Sequence, residues 1–282
     1  MVSVFGAYPP VGQDPTLCRS PSGQALPRVL WLIGCLLLVL PVHGAEPPLD
    51  LYTPARDSLF VLERFTHPDQ LGQFPEHWEG RTGWRQKRTK EAEDLYYTIQ
   101  VEDGDYFLRA ETQGRSTNAG CEANVNLRLY NKLRWRWRVH KLPEGGNEED
   151  EDKNDSGAAV RLVFRGGMLP KTLKYVWSST LPVGAETVSP SSDKTKVIVL
   201  RSGLDSAGEW VWEEVDAYDD YRRLFGGEPR LVQALAVITD SDNTKSPVSA
   251  DYDDFVFLIG PGEEINGPID TTHELELRGS QQ

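Results

Sequence analysis

Cysteine is scarce: there are three in 282 residues, and two of them, Cys18 and Cys35, lie before residue 45. Beyond that point only Cys121 remains, so no internal disulfide, multi-cysteine zinc site or CxxC redox pair can be built there. A lone thiol in that setting reads as a small, semi-buried side chain. Histidine is scarce too, and His67, His77, His140 and His273 are spread too widely for a local metal motif. No GxSxG elbow, P-loop or HExxH sequence occurs, so the common short catalytic signatures are missing. Positive charge is in deficit, with 30 Lys and Arg against 43 Asp and Glu and a formal charge of −13. Affinity for phosphate backbones rests on clustered positive charge, so no nucleic-acid partner is expected. What the chain does have is 39% hydrophobic residues, 10% aromatics and 25 glycines, an ordinary globular composition. That balance argues against a disordered, collagen-like or disulfide-dense chain.

One long apolar run is present, VLWLIGCLLLVLPV at residues 29–42. Its 14 residues fall short of the roughly 20 needed to span a bilayer as a helix. Arg28 precedes it and Gly44-Ala45 follow, the pattern of a secretory signal cleaved after Gly44 or Ala45. A periplasmic or secreted protein, with no stable membrane span after cleavage, is the expectation. The first 25 residues, rich in Pro and Gly, are unlike a normal n-region and suggest a translation start near Leu26 or Val29. Leu32-Ile33-Gly34-Cys35 resembles a lipobox, but the following Leu36-Leu37-Leu38-Val39 stays apolar, which argues against lipidation. The chain therefore divides into an N-terminal extension and signal (1–45), a linker (46–57), a domain (58–260) and a C-terminal tail (261–282).

Across that domain, short runs of alternating apolar residues are separated by Gly, Pro, Asn and Asp. Strands are expected at 96–101, 106–111, 132–139, 158–164, 173–178, 197–201, 210–215, 231–239 and 254–259. Their spacing and their Trp, Tyr, Val and Phe content predict an all-β protein, an antiparallel β-sandwich of jelly-roll type. One short helix is expected over 219–225, with acids in its first turn and Gly226-Gly227 as its stop. The stretch 144–155 holds seven acids and one lysine, and is expected to be a solvated loop.

Several groups could carry chemistry. In Leu133-Arg134-Trp135-Arg136-Trp137-Arg138-Val139, a strand puts the apolar residues on one face and three arginines on the other. With Arg161 from the neighbouring predicted strand, Arg134, Arg136 and Arg138 form a candidate surface for carboxylates or sulfates. Cross-strand pairing with Glu111, Glu213 or Asp216 is the structural alternative. Trp177, Trp210 and Trp212 are either core residues or flat platforms for sugar rings, and Trp177 is the candidate ligand contact. Asp240 and Asp242 at alternate positions, followed by Asp253, are the candidate ligands of a structural calcium; no other cofactor is implied. An EF-hand is excluded, because Lys245 stands where that loop needs glycine. Glu214-Val215-Asp216 resembles the alternate carboxylates of retaining glycosidases.

Taken together, LRWRWRV, AAVRLVF, LKYVWSSTLPVG, VIVLRSG, DDYRRLFGGEP and AVITDSDNTKSPVSADYDDFVF resemble one family. It is a bacterial exported family catalogued as a domain of unknown function, number three thousand and forty-seven, and the likeness covers roughly residues 58–260 in consistent order. The resemblance implies an exported sandwich domain and transfers no catalytic residue. The closing DYDDFVF is also similar to the last strand of carbohydrate-binding jelly-roll modules, a likeness at the level of fold. The expected function is a non-catalytic module for an envelope or extracellular glycan. The alternatives are a polysaccharide-active enzyme using Glu214 and Asp216, and an envelope assembly factor whose protein partner is unknown.

Overall fold

The computed structural model describes residues 59–82, 87–88, 96–166 and 170–260. The expected signal, the lipobox-like segment, the linker and the C-terminal tail lie outside these residues. Among the described residues fourteen strands and one α-helix follow in chain order. The strands are β1 (Leu59–Glu63), β2 (Glu79–Thr82), β3 (Lys87–Arg88), β4 (Tyr97–Glu102), β5 (Asp105–Gln113), β6 (Ser116–Val125) and β7 (Lys132–Lys141). After them come β8 (Ala158–Phe164), β9 (Thr172–Ser178), β10 (Glu186–Val188), β11 (Thr195–Ser202) and β12 (Val211–Asp216). Helix α1 (Ala217–Phe225), β13 (Val232–Asp240) and β14 (Pro247–Leu258) complete the domain.

The strands form two sheets. The first runs β12-β7-β14-β5-β4, with β1 also paired to β14; the second runs β10-β11-β9-β8-β13-β6-β2-β3. Between named strands, every pairing is antiparallel except β9 with β11. This is the all-β sandwich with one short helix that the strand pattern predicts.

Alternation in β7 explains how the sheets pack. Leu133, Trp135, Trp137 and Val139 have no solvent exposure and point into the sandwich. Trp135 meets Tyr175 at 5.8 Å between ring centroids, and Trp137 meets Trp177 at 5.8 Å. Both partners sit on β9, so these rings join the two sheets. Each such fully buried large side chain contributes roughly 1.5–3 kcal/mol. Trp177, with 1% exposure and its Nε1–H donated to the Gly203 carbonyl at 2.8 Å, is a core residue and not a ligand platform.

Three local differences from the sequence expectation have physical causes. Strand β6 was not expected, because Ser-Thr-Asn-Ala-Gly-Cys has low strand preference. Its small residues suit a tight position: a Cβ on Gly120 would lie 2.6 Å from the Leu235 carbonyl oxygen of β13. Strand β14 begins at Pro247, seven residues before the expected start, because Asp251 and Asp253 are paired with arginines inside the sheet. The stretch 144–155 is not simply solvated. Glu148 and Asp155 are fully buried, while Glu149, Glu151 and Asp152 stay exposed. Ser156 and Ser178 hydroxyls donate to Glu148 at 3.0 and 2.6 Å, and the Asn243 and Thr244 amides donate to Asp155 at 3.1 and 2.6 Å. Hydrogen bonds and the nearby Lys174 ammonium make that burial tolerable.

Candidate functional site

The outward face of the first sheet concentrates the polar and aromatic chemistry. Strand β7 contributes Arg134, Arg136 and Arg138, opposite its core-facing residues. On one side β12 pairs Glu214 with Arg134 and Trp212 with Arg136 in register. On the other, β14 sets Asp251 across from Arg138 and Asp253 across from Arg136. The bulge that follows puts Asp254 at a φ of 55°, which brings a second carboxylate to Arg136.

The ion pairs are specific. Arg136 contacts Asp253, Asp105 and Asp254, and Arg138 contacts Asp251 and Glu102, each through a distance of 3.1 Å or less. Arg109 of β5 donates to both Asp251 oxygens at 2.7 and 2.9 Å, and His140 Nε2 lies 2.8 Å from the same carboxylate. Burial raises the Asp251 carboxyl, yet hydrogen bonds from Arg109, His140 and Arg138 outweigh it and hold the group below its ordinary value. Asp253 goes the other way: burial, with the adjacent Asp254 charge, lifts it well above the ordinary range against the pull of Arg136. The partners proposed from sequence have other tasks. Glu111 accepts from Ser249 Oγ at 3.0 Å, Glu213 accepts from Arg201 and the Trp137 indole, and Asp216 caps α1.

Aromatic rings are layered between the guanidinium groups. Arg134 lies 4.4 Å from the Trp212 ring centroid, Arg136 lies 4.7 Å from Trp210, and Arg138 lies 4.7 Å from Trp210 and 5.0 Å from Phe107. Phe107 is buried and Trp210 is half-buried, but Trp212 is 37% exposed. Strand β12 ends this sheet, so Trp212 stands on its open rim. The result is a row of flat rings and guanidinium forks whose accessible end is Trp212 over Arg134.

A family model described as "Protein of unknown function (DUF3047)" matches residues 82–256. The chain belongs to that family. No curated protein matches this DUF3047 sequence. Among solved structures it is similar to the family 30 carbohydrate-binding module of a cellulosomal cellulase from Clostridium thermocellum. That likeness has 10% identity, covers 72% of this chain and 99% of the other, and has a TM-score of 0.41. The K2 cleaved adhesin domain of Lys-gingipain gives 12% identity, 72% and 99% coverage and a TM-score of 0.36. A mannan-recognising carbohydrate-binding module gives 9% identity, 72% and 98% coverage and a TM-score of 0.30. At these overlaps the likenesses carry no conclusion about what the DUF3047 domain binds.

Other expected site residues are placed elsewhere. Arg161 is on β8 in the second sheet, on the side away from the core, with Lys174 of β9 across from it. It therefore does not join the three β7 arginines. Asp240 and Asp242 come together with Asp155, their carboxylate oxygens lying within 4.8 Å of one another, whereas Asp253 belongs to the Arg136 pair. The donor set for any cation is thus Asp155, Asp240 and Asp242, with Asp253 removed from it. Burial, reinforced by Asp242 and Asp155 and opposed by Lys174, pushes the Asp240 carboxyl up to about 7. Glu214 and Asp216 are each engaged: Lys132 Nζ donates to Glu214 at 2.7 Å, and Asp216 accepts from the Asp219 amide and the Asn131 side chain. Among the described residues of the DUF3047 chain, no helix is long and apolar enough to cross a membrane.

Sequence reasoning singled out the arginines but not their acidic partners or the role of Trp212. The signal was present, since Ser249, Asp251 and Asp253 alternate with Val248, Ala250 and Tyr252 at strand period. Reading Asp253 as a calcium ligand and starting the strand at 254 left this alternation unused.

Proposed function

We propose that this chain is an exported, non-catalytic module that binds an extracellular or envelope glycan on the outward face of β12, β7, β14 and β5. The observation that carries it is the exposed Trp212 ring at the open end of a row of arginines and carboxylates. An indole stacks on the apolar face of a sugar, while fixed guanidinium and carboxylate groups supply donors and acceptors for hydroxyls. Most of those groups already hold one another in place, so the face is preorganised for binding. The engagement of Glu214 by Lys132 and of Asp216 at the start of α1 favours binding over hydrolysis at that pair.

A thermal-shift screen with soluble bacterial and plant polysaccharides tests this, run in parallel on the protein and its Trp212→Ala variant. A ligand at about a hundred times its dissociation constant stabilises the folded state by roughly 2.7 kcal/mol, a readable shift. The expected result is an upward shift with at least one glycan class that the variant loses. A shift that survives Trp212→Ala would move the site off this face.

A further inference from the structure

Resting on that glycan reading, we propose that the sugar unit seated at Trp212 carries a carboxylate, and that Arg134 receives it. The other cations of the face are each paired: Arg136, Arg138, Arg109 and Lys132 contact at least one carboxylate apiece. Arg134 differs. Among the described residues its guanidinium makes no ion pair or hydrogen bond, and it lies over the Trp212 ring at 4.4 Å.

The neighbours of Arg134 explain this. Across β12 its register partner is Glu214, but that carboxylate goes to Lys132 at 2.7 Å. Across β14 its partner is Val256, which offers no charge. Asp254 is close enough for Arg134 to lower its carboxyl slightly, yet it is bound to Arg136 at 3.1 Å and lies 3.6 Å from Arg64. Arg134 therefore remains a cation with no carboxylate at ion-pair distance, on a residue only 9% exposed.

Ligand chemistry follows from that unpaired guanidinium. A glycan stacked on Trp212 removes water from the adjacent guanidinium. A neutral sugar then leaves a nearly buried cation whose acidic neighbour, Asp254, is already shared with Arg136 and Arg64, which is costly. A carboxylate in the same position replaces the water and accepts two parallel N–H bonds from the planar fork. The remaining pairs on the face need no ligand charge, so one acidic substituent near Trp212 suffices. A uronic-acid polymer is the ligand class that fits.

The test uses polygalacturonate, alginate and hyaluronate, each beside its carboxyl-reduced neutral form. Binding to the protein, Arg134→Gln and Trp212→Ala is measured by calorimetry. The expected result is at least one acidic polymer that binds through Trp212, loses tenfold or more in affinity on carboxyl reduction, and loses that preference in Arg134→Gln. Arg134→Gln removes the charge and the guanidinium fork while leaving a polar side chain, and an unchanged melting temperature confirms folding. Binding through Trp212 that is indifferent to carboxyl reduction, or a preference retained in Arg134→Gln, overturns the acidic-ligand inference alone. Binding of none of the six polymers overturns the inference, and a flat thermal-shift screen with the wider polysaccharide panel overturns the glycan reading beneath it.

Discussion

Replacing Asp251 by Asn removes one negative charge from the centre of the arginine network without changing side-chain shape. Asp251 has no solvent exposure and accepts from Arg109 at 2.7 and 2.9 Å and from Arg138 at 2.6 Å, with His140 Nε2 at 2.8 Å. Arg138 keeps Glu102, which is exposed, so that guanidinium loses its buried partner and retains its outer one. Removing one member of a buried, hydrogen-bonded charge network costs about 3–5 kcal/mol. Because Arg109 is partly exposed, about 3 kcal/mol is the working figure. For a domain of this size each kcal/mol moves the melting temperature by about 2–4 °C, so a fall of roughly 6–12 °C is expected at pH 7.

The pH dependence gives the same substitution a second signature. The folded-state value of Asp251 lies below its ordinary one, so its contribution is complete above about pH 4. That contribution is lost as the pH falls through the folded value. Asp251→Asn has no such group to protonate, so the gap between the two proteins should narrow at pH 3. Circular dichroism melts at pH 7 and pH 3 measure both effects. A shift under about 2 °C at pH 7, or a gap that stays constant to pH 3, would refute the view of Asp251 as the keystone of this network.

Two further substitutions probe the second sheet. Gly120→Ala places a methyl group 2.6 Å from the Leu235 carbonyl oxygen, so β6 and β13 must separate; a urea midpoint lowered by the equivalent of about 1–3 kcal/mol is expected, and an unchanged midpoint would contradict the tight approach. Asp240 has a folded-state value raised to about 7, so stability should fall as the pH rises from about 4 to 7. Since one unit of pKa separation is worth about 1.36 kcal/mol, Asp240→Asn should remove a decline bounded at roughly 4 kcal/mol, of which roughly 3 kcal/mol falls between pH 5 and 8, checked by denaturant titrations at those two values. Equal slopes in the two proteins would exclude Asp240 as the source.

Much of the architecture is legible in the sequence because buried strands announce themselves by alternation. Ala158–Phe164 and the β7 run are bounded by turn residues, and their apolar positions recur at period two. Strand β6 is illegible for the opposite reason: its place beside β13 selects small residues, and small polar residues resemble a loop. In β14 the acids at Asp251 and Asp253 suggest a solvated turn unless the arginines that neutralise them are known to lie alongside. The same blindness to distant partners separated the site residues. Nothing local to Arg161 shows that its strand pairs within the other sheet. Nothing local to Trp177 shows that its ring faces Trp137. Glu148 and Asp155 look like solvent-exposed acids until the Ser156, Ser178, Asn243 and Thr244 donors are placed around them.

Glycan binding on the Trp212 face is tested most directly by the indole N–H signals of the protein in nitrogen-15 correlation spectra. The chain has eight tryptophans; among the described ones Trp135, Trp137 and Trp177 are buried in the core and Trp212 is exposed on the outer face. After assignment by single substitution, titration with the acidic and neutral polysaccharides should shift the Trp212 signal first, with Trp210 following and the three core indoles unmoved. A glycan that binds while leaving Trp212 unmoved, or a panel that shifts none of these signals, would contradict the assignment of this face as the binding site.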